Sequence, residues 1–199
     1  MKKNLLLLVL VWAATLFPAF AQAPVELQGE ARQAALDAIL RANDIRTSLR
    51  FDFELRRHSS LLTEDLVSFG RASYVYPDKV RWEVVRPRPS VFVLNGATTT
   101  DRRRQSLMRN VSRISERGLV NETDFDITVF SAPGQWQIDL IPLRRDLGQL
   151  FECITLLADP KTGVLRGVVL SEVGGDTSYL QFRSMEKGIP LADELFVEP

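Results

Sequence analysis

Between Gln28 and Asn43 the apolar residues Ala31, Ala34, Ala35, Ala38, Ile39 and Ala42 recur at spacings of three and four, the stripe of an amphipathic helix. Directly afterwards the period becomes two. Leu49, Phe51, Phe53 and Leu55 alternate with Arg50, Asp52, Glu54 and Arg56, which predicts a strand with one wet face. His58-Ser59-Ser60 predicts the turn that ends it. From Asp65 to Tyr76 the alternation is less regular, but Val67, Phe69, Tyr74, Val75 and Tyr76 are strand formers, so the stretch reads as a strand bulged or kinked near Gly70. Pro77-Asp78 turns the chain into Val80, Trp82 and Val84, which alternate with Arg81, Glu83 and Val85. Pro87 and Pro89 interrupt pairing, and Val91 to Leu94 runs into Asn95-Gly96, a hairpin signal.

Helical spacing returns between Asp101 and Gly118, where Leu107, Val111 and Ile114 fit one face with Arg104 and Met108, and Gly118 terminates the segment. Phe125 to Val129 and Trp136 to Leu140 then alternate as two strands joined at Ala132-Pro133-Gly134, a hairpin. Arg144 to Leu150 reads as a turn or short helix, Phe151 to Ala158 as a strand, and Asp159 to Gly163 as a tight turn. Val164 to Glu172 and Thr177 to Ser184 come next as strands around Gly174-Gly175-Asp176, and Phe196-Val197 is expected to add a short pairing. Two helical segments with roughly nine strands at about ten-residue spacing describe an α+β fold. Its centre is a large curled antiparallel sheet, an incomplete, unclosed β-barrel, with helices covering the open side.

The inward positions of this sheet are bulky. They comprise Phe51, Phe53, Tyr74, Tyr76, Val80, Trp82, Val84, Phe92, Phe125, Trp136, Ile138 and Phe151, enough to line a half-barrel whose lumen fills only partly and would hold lipid chains. The same alternation serves an ordinary packed core, and the residues leave both readings open.

Ahead of the helix, Lys2 and Lys3 precede an apolar run from Leu5 to Phe17 and then Pro18-Ala19-Phe20-Ala21-Gln22-Ala23. This is the pattern of a secretory signal peptide over residues 1–21, cut after Ala21 or Ala23, and the run is shorter than the ~20 residues a membrane span needs. Residues 22–199 are then expected to be one domain, soluble after cleavage. Without the leader the charge moves from 0 to −2, because two lysines leave and all 25 acids stay. No basic excess points to nucleic acid. Cys153 is the single cysteine, so no internal disulfide can form and a buried thiol is expected.

Catalytic signals are sparse. His58 is the sole histidine, so any Ser-His-Asp or Cys-His catalyst would have to use it, and it reads as an exposed turn residue. Neither a Gly-x-Ser-x-Gly elbow nor a phosphate-binding glycine loop is present. Asp124 and Asp126 form a close acid pair, and flanking Phe125 they read as a wet strand face rather than a metal site. The chain reads as no enzyme and as needing no cofactor or metal. On the second helix Arg102, Arg109, Arg113 and Arg117 can form one basic stripe in which Glu116 is the only acid. The alternatives are a solvated face and a docking surface for an acidic partner or anionic head groups.

The run Tyr76-Pro77-Asp78-Lys79-Val80-Arg81-Trp82-Glu83, with Pro87 and Val93-Leu94-Asn95-Gly96 after it, resembles the outer-membrane lipoprotein carrier (LolA) family. Ile141-Pro142-Leu143, Leu150-Phe151, Ile154, Asp159 to Gly163, Gly175-Asp176-Thr177 and Phe182 are similar to that family's closing strands, especially in its Bacteroidetes-type branch. The likeness runs in order from Leu36 to Phe196. It implies a periplasmic carrier that shields the acyl chains of lipoproteins between an inner-membrane ATP-driven exporter and an outer-membrane acceptor, with Trp82 in the lumen, and a monomer is expected. Tyr76 stands where the best-known members carry an arginine, and Thr98 to Arg102 replaces a tyrosine-containing stretch. A carrier of another amphiphile, such as a lipid or pigment ester, therefore stays open, as does an envelope interaction or sensing domain.

Overall fold

The computed structural model describes residues 23–96, 118 and 120–197. The leader and the basic stripe at Arg102, Arg109, Arg113 and Arg117 lie outside the described residues, as does the second arm of the hairpin expected at Asn95-Gly96. The described elements are β1 (Val25–Glu26), α1 (Gly29–Ala42), β2 (Ser48–His58), β3 (Leu66–Val75), β4 (Lys79–Arg86), β5 (Ser90–Asn95), β6 (Phe125–Ala132), β7 (Gln135–Pro142), α2 (Arg145–Gly148), β8 (Phe151–Ala158), β9 (Leu165–Glu172), β10 (Thr177–Lys187) and a 3₁₀ turn at Asp193–Phe196.

All ten strands join one antiparallel sheet in the order β1-β6-β7-β8-β9-β10-β2-β3-β4-β5, and its two ends do not pair among the described residues. The sheet is therefore a curled, unclosed half-barrel made of two meanders, β2 to β5 and β6 to β10. They are joined where β10 pairs with β2 from Thr177↔His58 to Lys187↔Leu49, with a register shift between Phe182 and Ser184. The expected irregularity at Gly70 is a register shift between Phe69 and Gly70 against β4.

Because strand side chains alternate, the register assigns each residue to one face. Ile127 and Val129 of β6, Ile138 and Leu140 of β7 and Leu156 of β8 share the concave face with Val168 of β9 and Leu180 of β10. Through Leu180↔Leu55 that face continues into Phe51, Phe53, Ala72, Trp82 and Phe92. Helix α1 covers only the first of these regions. Its Ala35, Leu36 and Ile39 form one core cluster with Phe125, Ile127, Val129, Ile138, Leu140, Leu156 and Leu165.

Three expectations change. The edge strand β1 was not expected, because two residues carry no period. Phe196 does not extend the sheet: it closes the 3₁₀ turn, whose Leu195 and Phe196 carbonyls accept from Arg81 and Asn95. Arg81 and Asn95 are on the convex face of β4 and β5, so the C-terminal segment covers that face, and Phe196 there is 1% exposed. Asp124 is not on a wet face but buried ahead of β6, its N–H bound to Asn121 Oδ1 at 2.9 Å and its carboxylate 4.0 Å from Arg144 Nε.

Candidate functional site

The aromatic half of the concave face is built by a small-residue strand between two large-residue strands. On β3 the register sets Gly70 beside Phe53 and Val84, and Ala72 beside Phe51 and Trp82. With almost no side chain on β3, rings from β2 and β4 meet across it. Phe53 stacks on Trp82 with centroids 4.0 Å apart and planes at 23°. Phe51 meets Trp82 edge-on at 6.3 Å and Phe182 edge-on at 4.9 Å, both geometries that aromatic pairs favour. Phe92 lies opposite Trp82 on β5, and Val80 between Tyr74 and Leu94. Phe53 is the sealed base of the group, while Phe51, Trp82, Phe92 and Phe182 are only half-buried.

Beside the rings, the Tyr74 hydroxyl donates to the Pro77 carbonyl at 3.3 Å. The convex face of β2, β3 and β10 carries a ladder of charges. Asp52 accepts from Ser184 Oγ and Arg71 Nε, each at 2.9 Å, and these bonds hold its carboxyl below the usual range. Glu54 is held down in the same way by Arg183 and then Arg56. Arg86 lies 4.0 Å over the Phe69 ring beside an open depression of about 500 Å³. One face of the half-barrel thus suits hydrocarbon and the other suits water.

The inward set expected from the sequence separates into groups. Phe51, Phe53, Tyr74, Val80, Trp82, Val84 and Phe92 come together in the aromatic half. Phe125 and Ile138 lie in the core under α1, with Trp136 packed against it. Phe151 is half-buried at the start of β8, next to a register shift. Tyr76 does not face inward: it comes after β3 in a turn and is 40% exposed, because β3 ends at Val75. Phe182 was missing from that set. Its alternation is interrupted by the β10 bulge at Arg183, which hides the face it occupies.

The reactive side chains are not assembled. His58 closes β2 with its ring 65% exposed and Nδ1 3.0 Å from Asp65 Oδ1, across the β2–β3 hairpin. Cys153 is half-buried on β8, its Sγ 3.7 Å from Thr155 Oγ1, and burial raises the thiol pKa. Among the described residues no group of three or more His, Cys, Asp or Glu could hold a metal ion, and no helix is long and apolar enough to cross a membrane.

The described residues thus form an open antiparallel half-barrel with a helix over part of its concave face. Solved structures similar to the chain include a LolA superfamily protein from Nitrosomonas europaea, at 11% identity and a TM-score of 0.44 over 83% of this chain and 97% of the other. A DUF1329 family protein from Desulfovibrio piger is similar at 10% identity and a TM-score of 0.42, over 83% and 96%. The Pseudomonas aeruginosa MucA/MucB complex gives 16% identity and a TM-score of 0.41, and there the chain spans 60% of the matched chain's length. Values this low carry no function from one chain to another. No protein-family model matches the sequence, and no curated protein does.

Proposed function

We propose that the protein is a periplasmic carrier which takes acyl chains of lipoproteins onto its concave face and moves them from the inner to the outer membrane. The observation that carries this reading is the half-buried ring group of Phe51, Trp82, Phe92 and Phe182 gathered on one face of the sheet. A buried methylene is worth ~0.8 kcal/mol, so a chain of roughly a dozen supplies ~10 kcal/mol, enough for sub-micromolar binding. No bond is made or broken. The carrier shields the chain from water and yields it to an acceptor that binds more tightly, with energy entering at the exporter. A leader over residues 1–21 and one domain after it, both expected from the sequence, suit the same reading.

A second cargo class, another amphiphile such as a lipid or pigment ester, is favoured by Tyr76, whose ring stands exposed where the family's best-known members carry an arginine. One experiment addresses both. The chain is expressed with its leader in a Gram-negative periplasm, purified without detergent and weighed by native mass spectrometry beside Trp82→Glu, which sets a charge among the rings. Bound acylated material in the wild type and its loss in the variant is the expected outcome, and the bound mass assigns the cargo class. A wild type that is empty and takes up neither a lipoprotein nor a fatty-acyl probe would mean a packed core and an interaction or sensing domain.

A further inference from the structure

The two halves of the concave face differ in what covers them and in how firmly. Under α1, Ala35, Ile39, Val129, Ile138 and Ala158 are each at 0% exposure, so the centre of that half is sealed. Helix α1 is also tied along its length. Ahead of it the Leu27 N–H donates to the Val129 carbonyl at 2.7 Å. In its first turns Arg32 donates to the Ile127 carbonyl at 3.2 Å and pairs with Glu122 at 2.8 Å. At its end buried Asn43 donates to the Gly163 carbonyl at 2.8 Å and accepts from the Leu165 N–H at 3.0 Å, while Lys187 Nζ donates to the Ala42 carbonyl. The Gly163 turn presses so closely on the helix that a Cβ there would lie 2.5 Å from the Ala38 carbonyl oxygen. Phe182 marks the border, since it packs against the α1 core on one side and against Phe51 on the other.

We infer that acyl chains bind on one half of the concave face only, over β10, β2, β3, β4 and β5 around Phe51, Trp82 and Phe182, and that α1 is a fixed wall rather than a lid. This rests on the carrier reading and locates its site. A bound chain lies against half-buried rings that need only turn aside, whereas entry beneath α1 would break the Asn43, Arg32 and Lys187 bonds together and open a sealed core.

The chain carries its own reporters. Apart from Trp12 in the leader, its tryptophans are Trp82 and Trp136, one in each half. They stand six strands apart in the sheet order, about 29 Å along the sheet at about 4.8 Å per strand. Bromine on a fatty acid quenches an indole only near contact. In the secreted full-length chain with Trp12→Phe, 9,10-dibromostearate is expected to remove more than half of the emission of Trp136→Phe, which reports Trp82. Protein with both indoles should keep the share contributed by Trp136. As a second measurement that needs no substitution, amide hydrogen exchange over residues 29–42 should be unchanged by stearate while that of β2 to β4 slows.

Quenching of Trp136 along with Trp82, or faster exchange in α1 on adding stearate, would overturn the inference and leave the carrier reading standing. If no fatty acid binds at all, the carrier reading falls and the inference falls with it.

Discussion

Gly70 occupies a point of β3 where the chain touches a neighbour on each side: a Cβ there would lie 2.1 Å from the Glu83 carbonyl oxygen and 2.5 Å from Phe53 Cζ. The first is backbone and cannot turn aside, so a methyl must push β4 away or move the ring that stacks on Trp82. Gly70→Ala is expected to cost about 1–3 kcal/mol, read as a lower urea midpoint. Asp159 works through hydrogen bonds instead. Its carboxylate accepts the N–H groups of Thr162 at 2.9 Å and Lys161 at 2.8 Å, with Arg166 beside it, and these bonds hold its pKa below the usual carboxylate value. A depressed folded pKa gives stability that is complete above the unfolded value of about 3.9 and lost as pH falls through the folded one. The melting temperature of Asp159→Ala should therefore lie furthest below that of the wild type near pH 7, and the gap should close below about pH 4. A gap that is constant with pH would show that the charge contributes nothing.

At the scale of elements, the joint between α1 and the β8–β9 turn depends on one side chain. Asn43 ends the helix, accepts from one buried strand amide and donates both to Gly163 and to its own helix at Ile39. Asn43→Ala orphans the Leu165 N–H and the Gly163 carbonyl in the interior, at about 1–3 kcal/mol for each group left unsatisfied. Chemical denaturation should show that loss, and hydrogen exchange should show it first in residues 36–43 and 163–165. An equal loss of protection in β2 to β5 would contradict the separation of the two halves. The strands themselves owe their form to simpler causes. β2 alternates Phe and Leu with charged residues because one of its faces meets rings and on the other its Asp52 and Glu54 meet Arg71 and Arg183.

At the scale of the whole molecule an open sheet must protect its ends. On one edge β1 pairs with β6 only at Val25↔Ser131 and Glu26↔Phe130, and beyond it Leu27 and Arg32 bond the Val129 and Ile127 carbonyls. At the other end the C-terminal segment lies across the convex face of β4 and β5 and is pinned there by Lys79 to Asp193 at 2.7 Å as well as by Arg81 and Asn95. Among the described residues, helix α1 and this segment thus cover opposite faces of opposite halves.

Much of this was legible in the chain because it is local. A period of two identified β2, β4, β6 and β7, a period of 3.6 identified α1, and the turns at Pro133-Gly134 and Asp159 to Gly163 were marked by residues whose backbone preferences allow little else. The alternation also placed Phe51, Phe53, Trp82 and Ile138 on one face of the sheet, since which face a residue takes depends only on its neighbours. Residues far apart in sequence decided the rest. That β10 pairs with β2, so that Phe182 meets Phe51, depends on a register between segments more than a hundred residues apart. That Phe53 stacks on Trp82 depends on Gly70 and Ala72 being the small residues between them, and in a sequence those two look like weak points of a strand rather than space for rings. The division of one apolar face into a sealed half under α1 and a half-buried aromatic half has no periodicity at all. Among the described residues it comes from where helix α1 comes to rest, and only tertiary packing decides that.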